Sequence, residues 1–292
     1  MGRASKFGGI MTGRTESGER VSIKRLERYA ASLPEMLDRL RGLERRDVAR
    51  VEESFVGEDG CLYIVREFVE GTDLKTIFAD KSVYGKIDER AYVKMGCGVL
   101  RALEAVHGLG IVHRDIKPSN IVIRHAAGAD LTNVDYDDVA LIDFEQGMTL
   151  PATGDARTAF ALIYSPPEMV LKHNDLTGPT VDLFALAITI YHLVMGKTPY
   201  TDCNPEVLIN LQLTYPMKKP GRMTDELYDV LSKAANKEAF RLPPRRLSYE
   251  EIHETLSRGI AGRYQTAGEM LAALSNVGEA LHPATWWQKI IG

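Results

Sequence analysis

The sequence predicts an α+β fold, with strand signals up to about residue 70 and a helical pattern from about 72 onward, and three patterns carry that expectation. Arg20–Lys24 alternates polar and apolar side chains, as a half-buried strand does, and Val51–Val56 and Leu62–Val65 read as two further strands. Tyr92, Met95, Val99, Leu103 and Val106 recur at three- to four-residue spacing, which makes one apolar face of a helix. Leu183–Met195 is largely apolar and broken by His192, which suits a buried core helix and is too short to span a bilayer.

Composition narrows the class. A chain of 292 residues is long enough for one large domain or two parts sharing a cleft. With 36 Lys and Arg against 40 Asp and Glu, the net charge of −4 offers no whole-chain argument for nucleic acid or an anionic membrane as a partner. Cys61, Cys97 and Cys203 form no CxxC pair and read as free thiols of a reducing compartment. The polar, Gly-rich N-terminus is unlike a secretory signal, so a cytoplasmic protein is expected.

Taken in order, Arg20-Val21-Ser22-Ile23-Lys24 follows a Thr-Glu-Ser-Gly turn and reads as a strand. Leu33–Leu43 places Met36, Leu37, Leu40 and Leu43 as an amphipathic helix would. Val51–Val56 and Leu62–Val65 are two strands joined by a turn that ends in Asp59-Gly60. The 92–106 helix leads to His113-Arg114-Asp115, after which strands at Ile121–Ile123 and Val139–Ile142 flank a polar excursion. Helices are expected at Val181–Met195, Pro205–Leu213, Asp225–Ala235 and Thr266–Ser275.

The densest chemistry lies between Ile111 and Ile123. Moving a phosphoryl group to a hydroxyl needs a carboxylate at the nucleophile, a cation near the transferred phosphate and oxygen ligands for magnesium. Asp115, Lys117 and Asn120 supply one group of each kind, in the spacing of the protein-kinase catalytic loop. The chain therefore resembles the protein kinases. Its Lys117-Pro118-Ser119-Asn120 is similar to the serine/threonine branch, and the whole looks closest to bacterial enzymes of the eukaryotic type.

That resemblance implies a bilobal fold with an N-lobe over 1–70, a C-lobe over 71–280 and a tail over 281–292. It implies ATP and Mg2+ as cofactors and a Ser/Thr protein as substrate. Asp115 would orient the acceptor hydroxyl and take its proton, and Lys117 would approach the transferred phosphate. Asn120 and Asp143, the latter in Ile142-Asp143-Phe144-Glu145, would hold magnesium. Lys24, in Val21-Ser22-Ile23-Lys24, would meet the α- and β-phosphates. Its expected partner is Glu35, although counting back from Leu40 and Leu43 puts Met36 at that turn. Gly2 and Gly8 resemble the phosphate-cradling loop, and the strand that would precede Gly2 is missing from the pattern. The backbone of Glu67 and Val69 would meet adenine, with Arg66 at the usually apolar gatekeeper position. Glu168 and Arg263 would pair below the substrate segment, and Asp182 would hold the catalytic loop's backbone.

Three departures bear on activity: Glu145 stands where the family has glycine, Ala161 where it has threonine, and Arg66 at the gatekeeper. A left-handed backbone at Glu145 would cost about 1–2 kcal/mol. Arg114 is placed to bind a phosphorylated residue, with Thr149, Thr153 and Thr158 as candidates. The leading expectation is an ATP-dependent serine/threonine protein kinase. The alternatives are a pseudokinase acting as a nucleotide-binding or scaffolding module, and a small-molecule phosphotransferase of the aminoglycoside or choline kinase type.

Overall fold

The computed structural model describes residues 10–151, 162–240 and 242–281. Its N-terminal part is an antiparallel sheet of β1 (Ile10–Arg14), β2 (Arg20–Leu26), β3 (Val51–Val56) and β4 (Leu62–Glu67), in the order β1-β2-β4-β3. β1 was not expected from the pattern; it pairs with β2 through a turn at Gly18, whose φ is +87°. α1 (Leu33–Arg41) packs on β3 and buries Leu33, Met36, Leu37 and Leu40, with a proline near its start. The helix stops at Arg41 rather than Leu43, and Gly42 caps it.

The chain then crosses to the helical part through β5 (Gly71–Asp73). Gly71 has φ +151°, and a Cβ there would lie 2.1 Å from the Ile123 carbonyl oxygen, so no other residue fits this crossing. Two short helices, α2 (Leu74–Ala79) and α3 (Lys81–Tyr84), precede α4 (Glu89–Gly108), which Asp88 caps by accepting from the Ala91 N–H at 2.9 Å. β6 (Ile111–Val112), β7 (Ile121–Arg124), β8 (Val139–Leu141) and β9 (Met148–Thr149) are short. β7 lies between β5 and β8, and β6 pairs with β9. They leave the segments 113–120 and 142–147 side by side, because the Ile142 N–H donates to the Asn120 carbonyl at 3.0 Å.

Below these lie α5 (Pro167–Val170), α6 (Thr180–Met195), α7 (Pro205–Thr214), α8 (Asp225–Ala234), α9 (Tyr249–Ala261) and α10 (Ala267–Ala280). α6 is the expected apolar helix, buried nearly all round, and α4 packs against both α6 and α10. α9 was not among the expected helices, although Ser248 and Glu251 form a reciprocal capping box at its start. Among the described residues no helix is long and apolar enough to cross a membrane.

Arg263 and Glu168 form the expected buried pair, with Nη1–Oε1 at 2.5 Å and Nη2–Oε2 at 3.1 Å. Both are almost fully shielded, and Arg263 Nε also donates to the Asn236 carbonyl at 2.8 Å. This ties α5 to the turn before α10. Removing one partner strands a buried charge, whereas replacing both does not. Arg263→Ala is therefore expected to lower the unfolding free energy by about 3–5 kcal/mol. Glu168→Gln combined with Arg263→Met should cost clearly less, and urea denaturation of the two variants checks the difference.

Candidate functional site

The 113–114 turn is held from below by one carboxylate. Asp182, in the first turn of α6, is wholly buried. Its Oδ2 accepts from the His113 N–H at 2.8 Å and from His107 Nε2 at 2.9 Å, and its Oδ1 accepts from the Arg114 N–H at 2.7 Å. Burial opposes the charge, but the bond and charge of His107 and the His113 N–H outweigh it and hold the carboxyl below the usual range. These bonds sustain Arg114 at φ +63°, a conformation that costs on the order of 1–3 kcal/mol for a non-glycine.

The turn presents Asp115. Its Oδ2 accepts from Lys117 Nζ at 2.7 Å and from Asn120 Nδ2 at 2.9 Å. Its Oδ1 is buried and has no hydrogen-bond partner among the described residues. His113 works as a spacer: Nδ1 accepts from the Asp115 N–H at 3.2 Å, which leaves Nε2 to donate to the Ile142 carbonyl at 3.0 Å. Its ring also packs on Phe144 at 4.5 Å between centroids. Asp115, Lys117 and Asn120 are thus joined through one carboxylate oxygen, and Asp143 lies two residues beyond β8.

The upper half of the site comes from strand register. Lys24 faces Ile64 and Ser22 faces Arg66 across β2 and β4. Side chains two apart share a face, so Lys24 and Arg66 project from the same side of the sheet. Both meet the 143–145 segment. Lys24 Nζ lies 3.4 Å from Asp143 Oδ2 and 2.7 Å from Glu145 Oε1, and Arg66 Nη2 lies 2.9 Å from Asp143 Oδ1. The Arg66 contact is an ion pair whose angle leaves Asp143 Oδ1 without a hydrogen bond.

Burial opposes the charge on Asp143, but Arg66 and then Lys24 outweigh it and keep the carboxyl below its usual range. Burial likewise opposes the Lys24 ammonium, and Glu145, then Asp143, more than offset it, so its pKa is raised.

Two expectations change here. The Lys24–Glu35 pair does not form: Glu35 is 72% exposed and pairs with Arg39, one turn along α1, at 2.8 Å. The buried face of α1 carries Met36 at that turn, so the helix offers Lys24 no inward carboxylate. The left-handed strain also falls elsewhere. Asp143, with φ +64°, takes it, and Glu145 is not among the described positive-φ residues.

Glu67 and Val69 follow Arg66 at the crossing between the two parts. The Glu67 N–H donates to the Arg50 carbonyl at 2.9 Å, and the Glu67 carboxylate pairs with Arg124 at 2.8 Å. The Arg124 contact ties β4 to β7 and was not read from the sequence, because the two residues are far apart in the chain and neither sits in a motif. Gly2, Gly8, Ala161, Thr153 and Thr158 lie outside the described residues. Arg114 is 6% exposed, and its Nε has no hydrogen-bond partner among the described residues. It lines a small cavity with Asp115, Tyr164, Ser165 and Pro166.

The chain is similar to known proteins in sequence and in fold. The model of the protein kinase domain family matches residues 4–255. A serine/threonine-protein kinase of Mycobacterium tuberculosis, PknF, is 32% identical over 171 residues, which cover 58% of this chain and 34% of PknF. PknA of the same species is 26% identical over 277 residues, covering 91% of this chain and 57% of PknA. The chain thus spans about a third to somewhat over half of the length of these relatives. In fold it is similar to the autoinhibited serine kinase domain of the giant muscle protein titin, with a TM-score of 0.71 at 21% identity over 98% of this chain and 80% of that one. A family match over most of the chain, together with the Asp115, Asn120 and Asp143 arrangement, places this chain in the protein kinase family.

Proposed function

We propose that the chain transfers the γ-phosphoryl group of ATP to a serine or threonine hydroxyl of a protein, with Mg2+. The observation that carries this reading is the Asp115 carboxylate. One oxygen is held by Lys117 and Asn120, and the other is buried without a hydrogen-bond partner among the described residues. An orphaned acceptor in a cleft is costly unless something donates to it, and a substrate hydroxyl is the donor that phosphoryl transfer requires. The Ser/Thr specificity follows the printed names of PknF and PknA.

The residues also fit nucleotide and metal. Magnesium takes oxygen ligands, commonly one or two carboxylates together with substrate phosphates. Asp143 has a buried Oδ1 free of hydrogen bonds, and Asn120 stands on the adjoining segment. Asp143 and Asn120 would hold Mg2+, and Lys24 would meet the phosphates. Bound there, MgATP supplies the phosphoryl group and neutralises charge on its oxygens. The chain does the rest: Asp115 orients the hydroxyl and accepts its proton, Lys117 places a cation beside it, and the Asp182 bonds keep the loop from relaxing.

The buried Glu168–Arg263 pair favours a protein substrate over a metabolite, since kinases acting on small molecules generally lack it. Arg66 favours the second reading, a nucleotide-binding pseudokinase, because its guanidinium occupies the metal carboxylate.

The test is transfer of label from γ-labelled ATP with Mg2+ onto the protein itself and a generic basic protein. Label on Ser or Thr is expected, and Asp115→Asn should reduce it by about 10²–10⁴-fold with nucleotide binding intact. Binding without transfer in the unaltered chain would establish the pseudokinase. A second expectation concerns Arg66, which competes with Mg2+ for Asp143. An ion pair of about 1 kcal/mol corresponds to about fivefold. Arg66→Leu should accordingly lower the Mg2+ concentration for half-maximal nucleotide binding by about that factor, as read by calorimetric titration.

A further inference from the structure

We propose that Glu145 positions Lys24 for the nucleotide phosphates, so that the lysine's anchor lies on the metal-binding segment instead of on helix α1. This rests on the ATP-binding reading above. Lys24 Nζ is 2.7 Å from Glu145 Oε1, and the Glu145 side chain is only 12% exposed. A lysine on a strand has a long, flexible stem, and an ammonium offered to phosphates at an undefined position binds poorly. Something must hold it.

α1 has two acidic residues, and neither serves. Glu35 is spent on Arg39 at the surface, and Asp38 is also exposed. The face of α1 turned inward is Leu33, Met36, Leu37 and Leu40, all buried. Met36 packs on the backbone two residues beyond Glu145: a Cβ built on Gly147 would lie 2.7 Å from Met36 Sδ. α1 therefore supports the 143–147 segment by packing and contributes no charge to it. The glutamate that the helix lacks stands instead at residue 145.

Two consequences follow. Lys24 and Asp143 are positioned by the same three-residue stretch, so the lysine and the metal carboxylate move together. The Lys24–Glu145 ion pair involves no residue of α1, which meets the 143–147 segment through the packing of Met36 on Gly147.

The competing role for Glu145 is a ligand of the metal, and the experiment separates the two. Lys24 is acylated with an amine-selective N-hydroxysuccinimide ester in the nucleotide-free, metal-free protein at pH 8, and the modification is quantified by mass spectrometry. Freed of its Glu145 contact, the long and flexible Lys24 stem samples positions open to the reagent, so the rate reads how firmly the amine is held. Glu145→Gln is expected to raise the Lys24 acylation rate by about fivefold, the loss of one ion-pair contact, and Glu35→Gln to leave it unchanged. In transfer assays Glu145→Gln should lower kcat by about tenfold or more, with KM for ATP changed less. Glu145→Met, which also removes the carboxylate, carries the same comparison if Glu145→Gln unfolds.

Acceleration by Glu35→Gln equal to that of Glu145→Gln would return the anchor to the helix and overturn the proposal. An unchanged acylation rate in Glu145→Gln, with only the Mg2+ requirement raised, would make Glu145 a metal ligand and overturn it equally. Because acylation is measured without nucleotide, it reports on the anchor even if the unaltered chain transfers no phosphate, an outcome that would sink the kinase reading alone.

Discussion

The Asp182 carboxylate is the interaction on which the site depends. It is charged, wholly buried and surrounded by three donors drawn from two places in the chain, the end of α4 and the 113–114 turn. A buried charge without such donors would be expensive, and with them it fixes the backbone that carries it. The turn it fixes holds Arg114 in a left-handed conformation and aims Asp115 into the cleft. His113 carries the constraint upward to Ile142 and Phe144, so one carboxylate at the head of a core helix sets both the Asp115 and the Asp143 backbones.

The upper half of the cleft is organised by charge balance. Two cations from the sheet, Lys24 and Arg66, face two carboxylates from one short segment, Asp143 and Glu145. All four are partly shielded, where an unmatched charge would shift its pKa or recruit a counter-ion. The unusual residues of the chain thus answer one another: a glutamate two places beyond Asp143 meets the lysine, and an arginine on the neighbouring strand meets the aspartate. Glycine at 145 would leave Lys24 without its closest partner, and an apolar residue at 66 would leave Asp143 with one cation fewer.

Much of this was legible in the sequence. Asp115, Lys117 and Asn120 lie within a few residues of each other, so their spacing alone put them together. β2, β4 and α6 were legible from periodicity, because their burial is one-sided or complete over a long run. Asp182 and the Glu168–Arg263 pair were reached by resemblance, since their partners are distant in the chain. The capping box of α9 was present as Ser248 and Glu251, but α9 has few fully buried residues and so a weak apolar signal. β1 and the Arg124–Glu67 contact had no local signature.

The amino-acid sequence by itself determined the kind of chemistry and the order of elements, since both rest on short-range spacing: which donors and carboxylates are present, and which segments alternate by two or by three to four. Tertiary structure alone decided which charge meets which. Glu35 and Glu145 were both available to Lys24, and choosing between them depended on the rotation of α1 on its apolar face and on the β2–β4 register. With Met36 turned inward and Lys24 set opposite Ile64, the helix glutamate is carried to solvent, and Glu145 is the carboxylate left within 2.7 Å of the lysine.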